Sequence, residues 1–132
     1  MNVLKRISFD EIFAATHTIW ADKRMADQVA EEAFGIIIKT SRRKSAFFTD
    51  KSTKCFVGGL FYLLGYRYDS VKKQRELADR LGTSDVSIRT NYRQWLEEFP
   101  DLFLDVIGKF ASDSSLRYYV LLNFKQHIAQ PR

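Results

Sequence analysis

Residues Gln74 to Arg89, with the sequence QRELADRLGTSDVSIR, contain the most informative pattern in this chain of 132 residues. Gly82 stands where a first helix has to end, because glycine adopts the positive φ of a helix C-terminus without strain. Ser84 follows at an N-cap position, where its hydroxyl can accept a hydrogen bond from a free amide of the next helix. Ala78 is small enough to let two helices cross closely. The pattern predicts two helices joined by a tight turn, the arrangement known as a helix-turn-helix.

The two helices are predicted over about Val71 to Leu81 and Ser84 to Phe99, with Pro100 as the stop. At 100° per residue, the second helix has one apolar side and one polar side. The apolar side consists of Ile88, Tyr92, Trp95 and Phe99. The opposite side consists of Val86, Arg89, Thr90 and Arg93. A helix that reads the major groove of DNA needs this division, with one side fixed to the core and the other side free.

The side chains on the free side fit groups that DNA presents. Arg89 can donate two hydrogen bonds to guanine O6 and N7, and Val86 can contact a thymine methyl group. We also expect Thr90 to contact bases. Arg93 lies farther along the helix and is better placed to contact a phosphate. The other candidates for phosphate contact are Lys72, Lys73, Arg75, Ser84 and Ser87.

A second basic run, Arg42-Arg43-Lys44, is predicted in a loop between the second and third helices. Solvation is the usual role of such a short charge run, and we expect it here. The alternative is that the loop contacts phosphates, which makes Arg42, Arg43 and Lys44 additional candidates for DNA binding.

Two further helices are predicted near the start of the chain. The first begins at Ser8, an N-cap residue, and Glu11 three residues later completes a capping box. The second begins at Asp22 or a neighbouring residue and is expected to end near Thr40, before the basic loop. Both carry apolar residues at helical spacing, which indicates that each packs one side against a core.

The third helix is expected to begin at Ser52 or Thr53 and to run to about Leu64. It is apolar almost all round, as a helix buried on most sides should be. Gly58 and Gly59 at its centre each cost about 1 kcal/mol of helix propensity. The close approach of a neighbouring helix to a backbone without side chains would offset that cost. The sequence therefore predicts an all-α protein.

The segment after Pro100 is less regular. Asp113-Ser114-Ser115 is typical of an N-cap region, and the apolar spacing that follows fits a helix, although Tyr118 to Leu122 fits a strand equally well. We expect a helix. The predicted organisation is a helical domain over residues 1–103, with the helix-turn-helix at 71–99, followed by a C-terminal extension over 104–132.

Composition limits the class of protein. Twenty-one Lys and Arg against 16 Asp and Glu give a net charge of +5. This charge permits binding to a polyanion, but many proteins of this size carry a similar charge that only keeps them soluble.

Cys55 is the only cysteine, so no internal disulfide or cysteine-based zinc site can form. We expect it to be a buried core thiol. The longest apolar run, Cys55 to Gly65, is too short to cross a bilayer, and no cleavable signal begins the chain. We expect an intracellular protein with no membrane partner.

No pattern in the sequence indicates catalysis. His17 and His127 have no Cys, Asp or Glu at ligand or catalytic spacing. Gly58-Gly59 lies inside a predicted helix and lacks the Lys and Ser or Thr of a phosphate-binding loop. We therefore expect neither an enzyme nor a bound cofactor or metal.

The wider sequence resembles the second cyclin-like repeat of transcription factor IIB and of its archaeal counterpart, transcription factor B. The resemblance spans about Phe9 to Phe103, and its core is KQRELA at 73–78 followed by SDVSIRTNYR at 84–93. These residues are similar to the family's "TQ-E-A … V-VT-R-YR" signature, and PDLF at 100–103 is similar to the segment after the last helix in eukaryotic members. The resemblance implies a cyclin-box-like five-helix bundle that ends in the helix-turn-helix.

In that family, the last two helices of the repeat contact promoter DNA upstream of the TATA box. The resemblance implies base-reading positions for Val86 and Arg89, with promoter-like double-stranded DNA, and TATA-binding protein or another transcription component, as partners. It implies a location in the cytoplasm for an archaeal protein and in the nucleus for a eukaryotic one. The family's Gly-Arg-Ser-Pro stands here as DKST at 50–53. We find no zinc ribbon, reader-like linker or first repeat, so we do not expect this chain alone to perform the whole role of a general factor.

Two functions remain open from the sequence. The first is sequence-specific binding of double-stranded DNA in transcription. The second is a cyclin-box module that binds a protein partner and does not bind DNA. Salt dependence separates them, because DNA binding through several phosphates weakens steeply as salt increases.

Overall fold

The computed structural model describes residues 7–49 and 51–110, and the regular structure within these ranges is entirely helical. The α-helices are α1 (Phe9–Ile19), α2 (Lys23–Arg43), α3 (Thr53–Arg67), α4 (Gln74–Leu81), α5 (Asp85–Glu98) and α6 (Leu104–Phe110). Two short 3₁₀ helices, Ser45–Phe48 and Pro100–Leu102, lie before α3 and before α6. The predicted all-α class is confirmed.

The helix starts that depend on N-cap residues lie where the sequence predicts them. The Glu11 amide donates to Ser8 Oγ at 3.2 Å and the Ser8 amide donates to the Glu11 carboxylate at 3.3 Å, which completes the capping box of α1. Asp22 accepts from the Met25 amide at 2.9 Å at the start of α2. Ser52 is the N-cap of α3. These contacts span only three residues, so they can be predicted from local sequence.

The predicted end of α2 near Thr40 is wrong. Thr40 is buried, and its hydroxyl donates to the Ile36 carbonyl at 2.7 Å, so the helix continues through it to Arg43. Arg42 and Arg43 therefore lie in the last turn of α2, with Lys44 as the C-cap, and not in a loop. Positive charges in the last turn favour this extension, because they interact with the negative end of the helix dipole.

Two other boundaries also differ from the prediction. Helix α3 ends at Arg67, beyond Leu64, because Gly65 and Tyr66 are still buried in the core. Helix α4 begins at Gln74, later than Val71. The carbonyl of Ser70 accepts from the Trp20 indole at 3.1 Å and its amide donates to the Gly65 carbonyl at 2.8 Å, so the chain is held in a turn just before α4.

Helix α3 is the centre of the bundle and contacts α2, α4, α5 and α6. Its residues from Phe56 to Tyr66 are all buried. A Cβ on Gly59 would lie 2.7 Å from the Asn91 carbonyl carbon and 2.7 Å from the Tyr92 amide nitrogen, both in the backbone of α5. A Cβ on Gly58 would overlap the Ile88 side chain. The predicted close approach of a neighbouring helix is confirmed, and that helix is α5.

An aromatic cluster fixes the far end of α5 to the core. The Trp95 indole donates to the Phe56 carbonyl at 2.8 Å, and its ring centre lies 4.7 Å from that of Phe47 and 5.6 Å from that of Phe99. Trp95 and Phe99 are almost fully buried. Since one side of α5 is held by these rings, the other side is oriented away from the core.

Helix α6 lies within the predicted C-terminal extension and packs on α3. Its residues Val106 and Ile107 are buried and belong to the core. The N-cap region at 113–115 and the helix predicted after it lie outside the described residues.

Arg67, the last residue of α3, bridges α2 and α6. Its guanidinium donates to both carboxylate oxygens of Asp105 at 2.8 Å and also to the carboxylate of Glu32. The Arg67 guanidinium holds the pKa of Asp105 below its ordinary value, and Arg43 does the same for the pKa of Asp101. Each arginine attracts the ionised aspartate more strongly than the protonated one, so the free energy of unfolding depends on pH.

We expect stability to fall as the pH drops below about 4, the ordinary pKa of an aspartate. A lowered folded-state pKa gives stability that is fully present above the unfolded-state pKa and is lost as the pH falls through the folded-state pKa. Asp105→Asn should reduce this acid sensitivity by at most about 1 kcal/mol, since Asp105 is exposed. Urea unfolding midpoints at pH 7 and pH 3 measure the loss of stability in acid. Asp79→Asn, a substitution of an exposed aspartate in α4, is the control. An equal shift in wild type and in Asp105→Asn would contradict the prediction.

Candidate nucleic-acid interface

The turn between α4 and α5 consists of Gly82, Thr83 and Ser84 and has the geometry that the sequence predicts. Gly82 adopts φ 73° and ψ 41°, the left-handed conformation. The Thr83 amide donates to the Ala78 carbonyl at 2.9 Å, which closes the end of α4. Ser84 Oγ accepts from the Ser87 amide at 3.1 Å and caps α5. Helix α5 therefore starts immediately after a tight turn that is closed by backbone and side-chain hydrogen bonds.

One side of α5 is buried, as predicted. Ala78 and Leu77 of α4 are also buried, so the two helices share one apolar interface with the rest of the bundle. The side chains that anchor α5, each with an exposed fraction of 1% or less, are Ile88, Tyr92, Trp95 and Phe99. This interface sets the rotation of α5 about its own axis.

The opposite side of α5 is accessible. Val86, in the first turn, is 55% exposed, and Thr90 one turn later is also exposed. Arg89 is half-buried, and no described residue forms an ion pair or hydrogen bond with its guanidinium. The structure thus brings Val86, Arg89 and Thr90 together on an outward side at the N-terminal half of α5.

Arg93 lies one turn farther along the same side and is half-buried. Glu97, one turn beyond Arg93, is exposed. A carboxylate at that position repels phosphates, so the cationic part of this side ends at Arg93.

The remaining phosphate candidates surround the start of α4 and the turn. Lys72 and Lys73 precede α4 and Arg75 lies in its first turn, with Lys73 and Arg75 exposed. The Ser84 hydroxyl donates to Ser87 Oγ at 3.0 Å, so it is committed to the cap. The Ser87 hydroxyl also hydrogen-bonds with the Cys55 thiol, so a phosphate would have to compete with this partner.

The cations at the start of α4 and Arg89 on the free side of α5 have no ion pair within the described residues, a property that they share with other exposed cations such as Lys39 and Arg42. No described residue forms an ion pair with Lys72, Lys73, Arg75 or Arg89. The ion pairs elsewhere include Arg43–Asp101, Lys44–Glu98, Arg67–Glu32, Arg67–Asp105 and Lys109–Asp69. Positive charge that is not neutralised within the fold is available to an external anion.

The structure does not bring Arg43 and Lys44 to this surface. Arg43 donates to both oxygens of Asp101 at 2.9 and 3.2 Å, and Lys44 pairs with Glu98 at the C-terminal end of α5. Glu98 lies about 18 Å along the helix axis from Val86 at 1.5 Å per residue. Arg42 is exposed in the last turn of α2. Solvation and pairing within the fold account for this run.

The chain has no significant match among known protein families, curated proteins or solved structures. No helix in the ranges 7–49 and 51–110 is long and apolar enough to cross a bilayer. The same ranges contain no group of three or more His, Cys, Asp or Glu side chains arranged to hold a metal ion.

His17 has an acidic partner that its sequence spacing does not reveal. Its Nε2 lies 2.7 Å from Asp27 Oδ1, so the pair links α1 to α2. The imidazole also packs on the Phe13 ring, with 4.2 Å between ring centres. Sequence spacing does not indicate this pair, because the hairpin of α1 and α2 brings together residues that are ten positions apart.

Two residues at the start of α3 lie against the turn, and sequence reasoning did not select either for this surface. Lys54 Nζ lies 3.4 Å from the position that a Cβ on Gly82 would occupy. Cys55 is half-buried, so the prediction of a core thiol is wrong; its Sγ lies 3.7 Å from Thr83 Oγ1. Burial raises the pKa of Cys55, but hydrogen bonds with the hydroxyls of Ser52, Thr83 and Ser87 together outweigh it and lower the pKa. No local signal reveals contacts between residues so distant in sequence.

Proposed function

We propose that this protein binds double-stranded DNA in a sequence-dependent manner by inserting the N-terminal half of α5 into the major groove. The observation that carries the proposal is the division of α5, where Val86 and Thr90 are exposed and Ile88 and Tyr92 are fully buried. An α-helix with its side chains is about 10–12 Å wide and the major groove is about 12 Å wide, so such a helix fits. The tight turn at Gly82 keeps α4 close to the same surface.

The accessible side of α5 supplies the types of side chain that read base edges. Arg89 is free of ion pairs with described residues, and its guanidinium matches the O6 and N7 acceptors of guanine. Val86 presents methyl groups that can contact the methyl group of thymine. Thr90 adds a hydroxyl that accepts or donates. Together they favour a site that contains guanine and thymine in adjacent or nearby positions.

The cations around α4 support the same proposal. Lys72, Lys73 and Arg75 have no ion pair with any described residue, which leaves their charges for phosphates. Arg93 on α5 is a further candidate for phosphate contact. Phosphate contacts position a protein on DNA and base contacts give it specificity. The proposed surface contains both.

The resemblance to the second cyclin-like repeat of transcription factor IIB makes the proposal more specific. It favours promoter-like DNA as the target, a role in transcription, and TATA-binding protein or another transcription component as a partner. The residues that carry the resemblance, at 73–78 and 84–93, include the start of α4 and most of α5, which form the proposed surface. An intracellular location, cytoplasmic in an archaeon or nuclear in a eukaryote, belongs to the same proposal.

Selection from a random duplex pool, followed by salt titration of the best site, tests the function. We expect enrichment of a guanine-containing site, and affinity that falls by roughly two orders of magnitude between 50 and 200 mM salt for four to five phosphate contacts. Lys39→Ala, which removes an exposed charge of α2, is the control and should bind as wild type. If wild type binds no duplex even at low salt, the proposal fails and the protein-binding module becomes the better interpretation.

A further inference from the structure

Lys54 is an exposed cation at the start of α3 that lies beside the turn of the proposed DNA-binding surface. Its Nζ is 3.4 Å from the position that a Cβ on Gly82 would occupy, so the charge sits at the C-terminal end of α4. No described residue forms an ion pair with it. The charge is therefore accessible at a defined place.

Glu11, an acidic residue that shares a surface crevice with Lys54, does not form an ion pair with it. The crevice lies between α1, α3 and α4, and Glu11 and Lys54 both line it. The Glu11 carboxylate accepts from the Ser8 amide at 3.3 Å and from the Ser8 hydroxyl at 3.2 Å, in the capping box of α1. Glu11 keeps its charge in this cap but forms no ion pair with Lys54, so the Lys54 ammonium can still contact an external anion.

Helix α4 places Lys54 at a distance from the other cations that matches the DNA groove. Lys73 is the N-cap of α4 and Gly82 is its C-cap. At 1.5 Å per residue, the axial separation of these two caps is about 13–14 Å. The major groove is about 12 Å wide. A helix of this length that crosses the groove therefore has one end near each phosphate backbone.

We propose that Lys54 binds a backbone phosphate on the strand across the major groove from the phosphates bound by Lys72 and Lys73. Phosphate contacts then hold both ends of α4. They fix how deeply α5 enters the major groove and which base pairs it faces. The inference rests on the DNA binding proposed above. The proposal adds a DNA contact from α3, which is not part of the helix-turn-helix. It assigns Lys54 to one DNA strand and Lys72 and Lys73 to the other.

The test compares Lys54→Ala and Lys73→Ala on the duplex selected by wild type. Lys54→Ala should weaken binding on the order of tenfold at low salt, reduce the slope of log affinity against log salt by about 0.9, and leave the base preference unchanged. Lys54→Arg should keep most of the affinity because it keeps the charge. Lys39→Ala is the charge-matched control, and unfolding midpoints verify that each variant is folded.

Duplexes with a single uncharged methylphosphonate at successive positions identify the strand. Wild type should be sensitive to substitutions on both strands that border the groove. Lys54→Ala should lose the sensitivity on one strand and Lys73→Ala on the other. If wild type binds DNA but Lys54→Ala keeps its affinity and salt slope, or loses sensitivity at the same phosphates as Lys73→Ala, the inference is overturned and the proposed function stands. If wild type binds no duplex at all, both fail.

Discussion

Gly59→Ala should lower the free energy of unfolding by about 3 kcal/mol, at the upper end of the range for overpacked cores. The new Cβ would lie 2.7 Å from two backbone atoms of α5, the Asn91 carbonyl carbon and the Tyr92 amide nitrogen. Backbone atoms cannot rotate away as a flexible side chain can. Helix α5 would have to move off α3, and the buried Trp95 and Tyr92 would have to move with it. The gain in helix propensity of about 1 kcal/mol is too small to compensate.

Gly35→Ala is the matched control for this substitution. Gly35 lies in α2, and a Cβ there would meet no atom within 4 Å. Alanine should therefore stabilise the protein by about 0.5–1 kcal/mol through helix propensity alone. Urea unfolding followed by the fluorescence of Trp20 and Trp95 measures both variants, since both indoles are buried. Equal changes in stability for the two variants would show that the α5 backbone does not lie within 3 Å of a Cβ at position 59.

The features that the sequence predicts correctly are those determined by short stretches of chain. The capping box of Ser8 and Glu11 and the cap at Ser84 each join residues three positions apart. The left-handed Gly82 follows from the chemistry of a single residue. The buried side of α5 follows from helical periodicity, because every fourth or third residue returns to the same side. The close packing at Gly59 follows from the cost of a glycine within a helix.

The features that the sequence does not predict depend on contacts between distant residues. Arg43 lies in α2 and not in a loop, and its partner Asp101 is 58 residues away. Lys54 and Cys55 are brought to the turn at Gly82 only because α3 packs against α4. Their sequence neighbours give no indication of that surface. Of the candidate site, local sequence therefore predicts α5 and the turn, whereas the contribution of α3 requires the packing of the whole bundle.

Arg89→Ala should have the largest effect on DNA binding. A bidentate contact between arginine and guanine contributes about 1–3 kcal/mol of discrimination, so affinity for the best site should fall on the order of tenfold to a hundredfold. The loss should be confined to sites with guanine at one position, because other sites lack the paired O6 and N7 acceptors. Since Arg89 makes no ion pair with described residues, its removal should leave stability nearly unchanged.

Three substitutions separate base reading from a general loss of charge. Arg89→Lys keeps the charge but lacks the planar guanidinium, so it should recover the general attraction to DNA but only part of the discrimination for guanine. Val86→Ala should weaken preference at a different base pair, by the smaller amount expected for one methyl contact. Lys73→Ala should reduce affinity for all sequences alike. Binding is measured on a set of duplexes with each base pair of the selected site changed in turn.

Replacing the guanine by 7-deazaguanine provides the sharpest test, because it removes the N7 acceptor and leaves the Watson–Crick pair intact. Wild type should lose affinity on the modified duplex, and Arg89→Ala should bind both duplexes equally. This pattern requires that Arg89 and the guanine N7 contact each other directly, since the two changes would otherwise add. If the modified base weakens wild type and Arg89→Ala to the same extent, another side chain reads that guanine. If Arg89→Ala lowers affinity uniformly for every duplex, Arg89 is a phosphate contact and base reading by α5 is rejected.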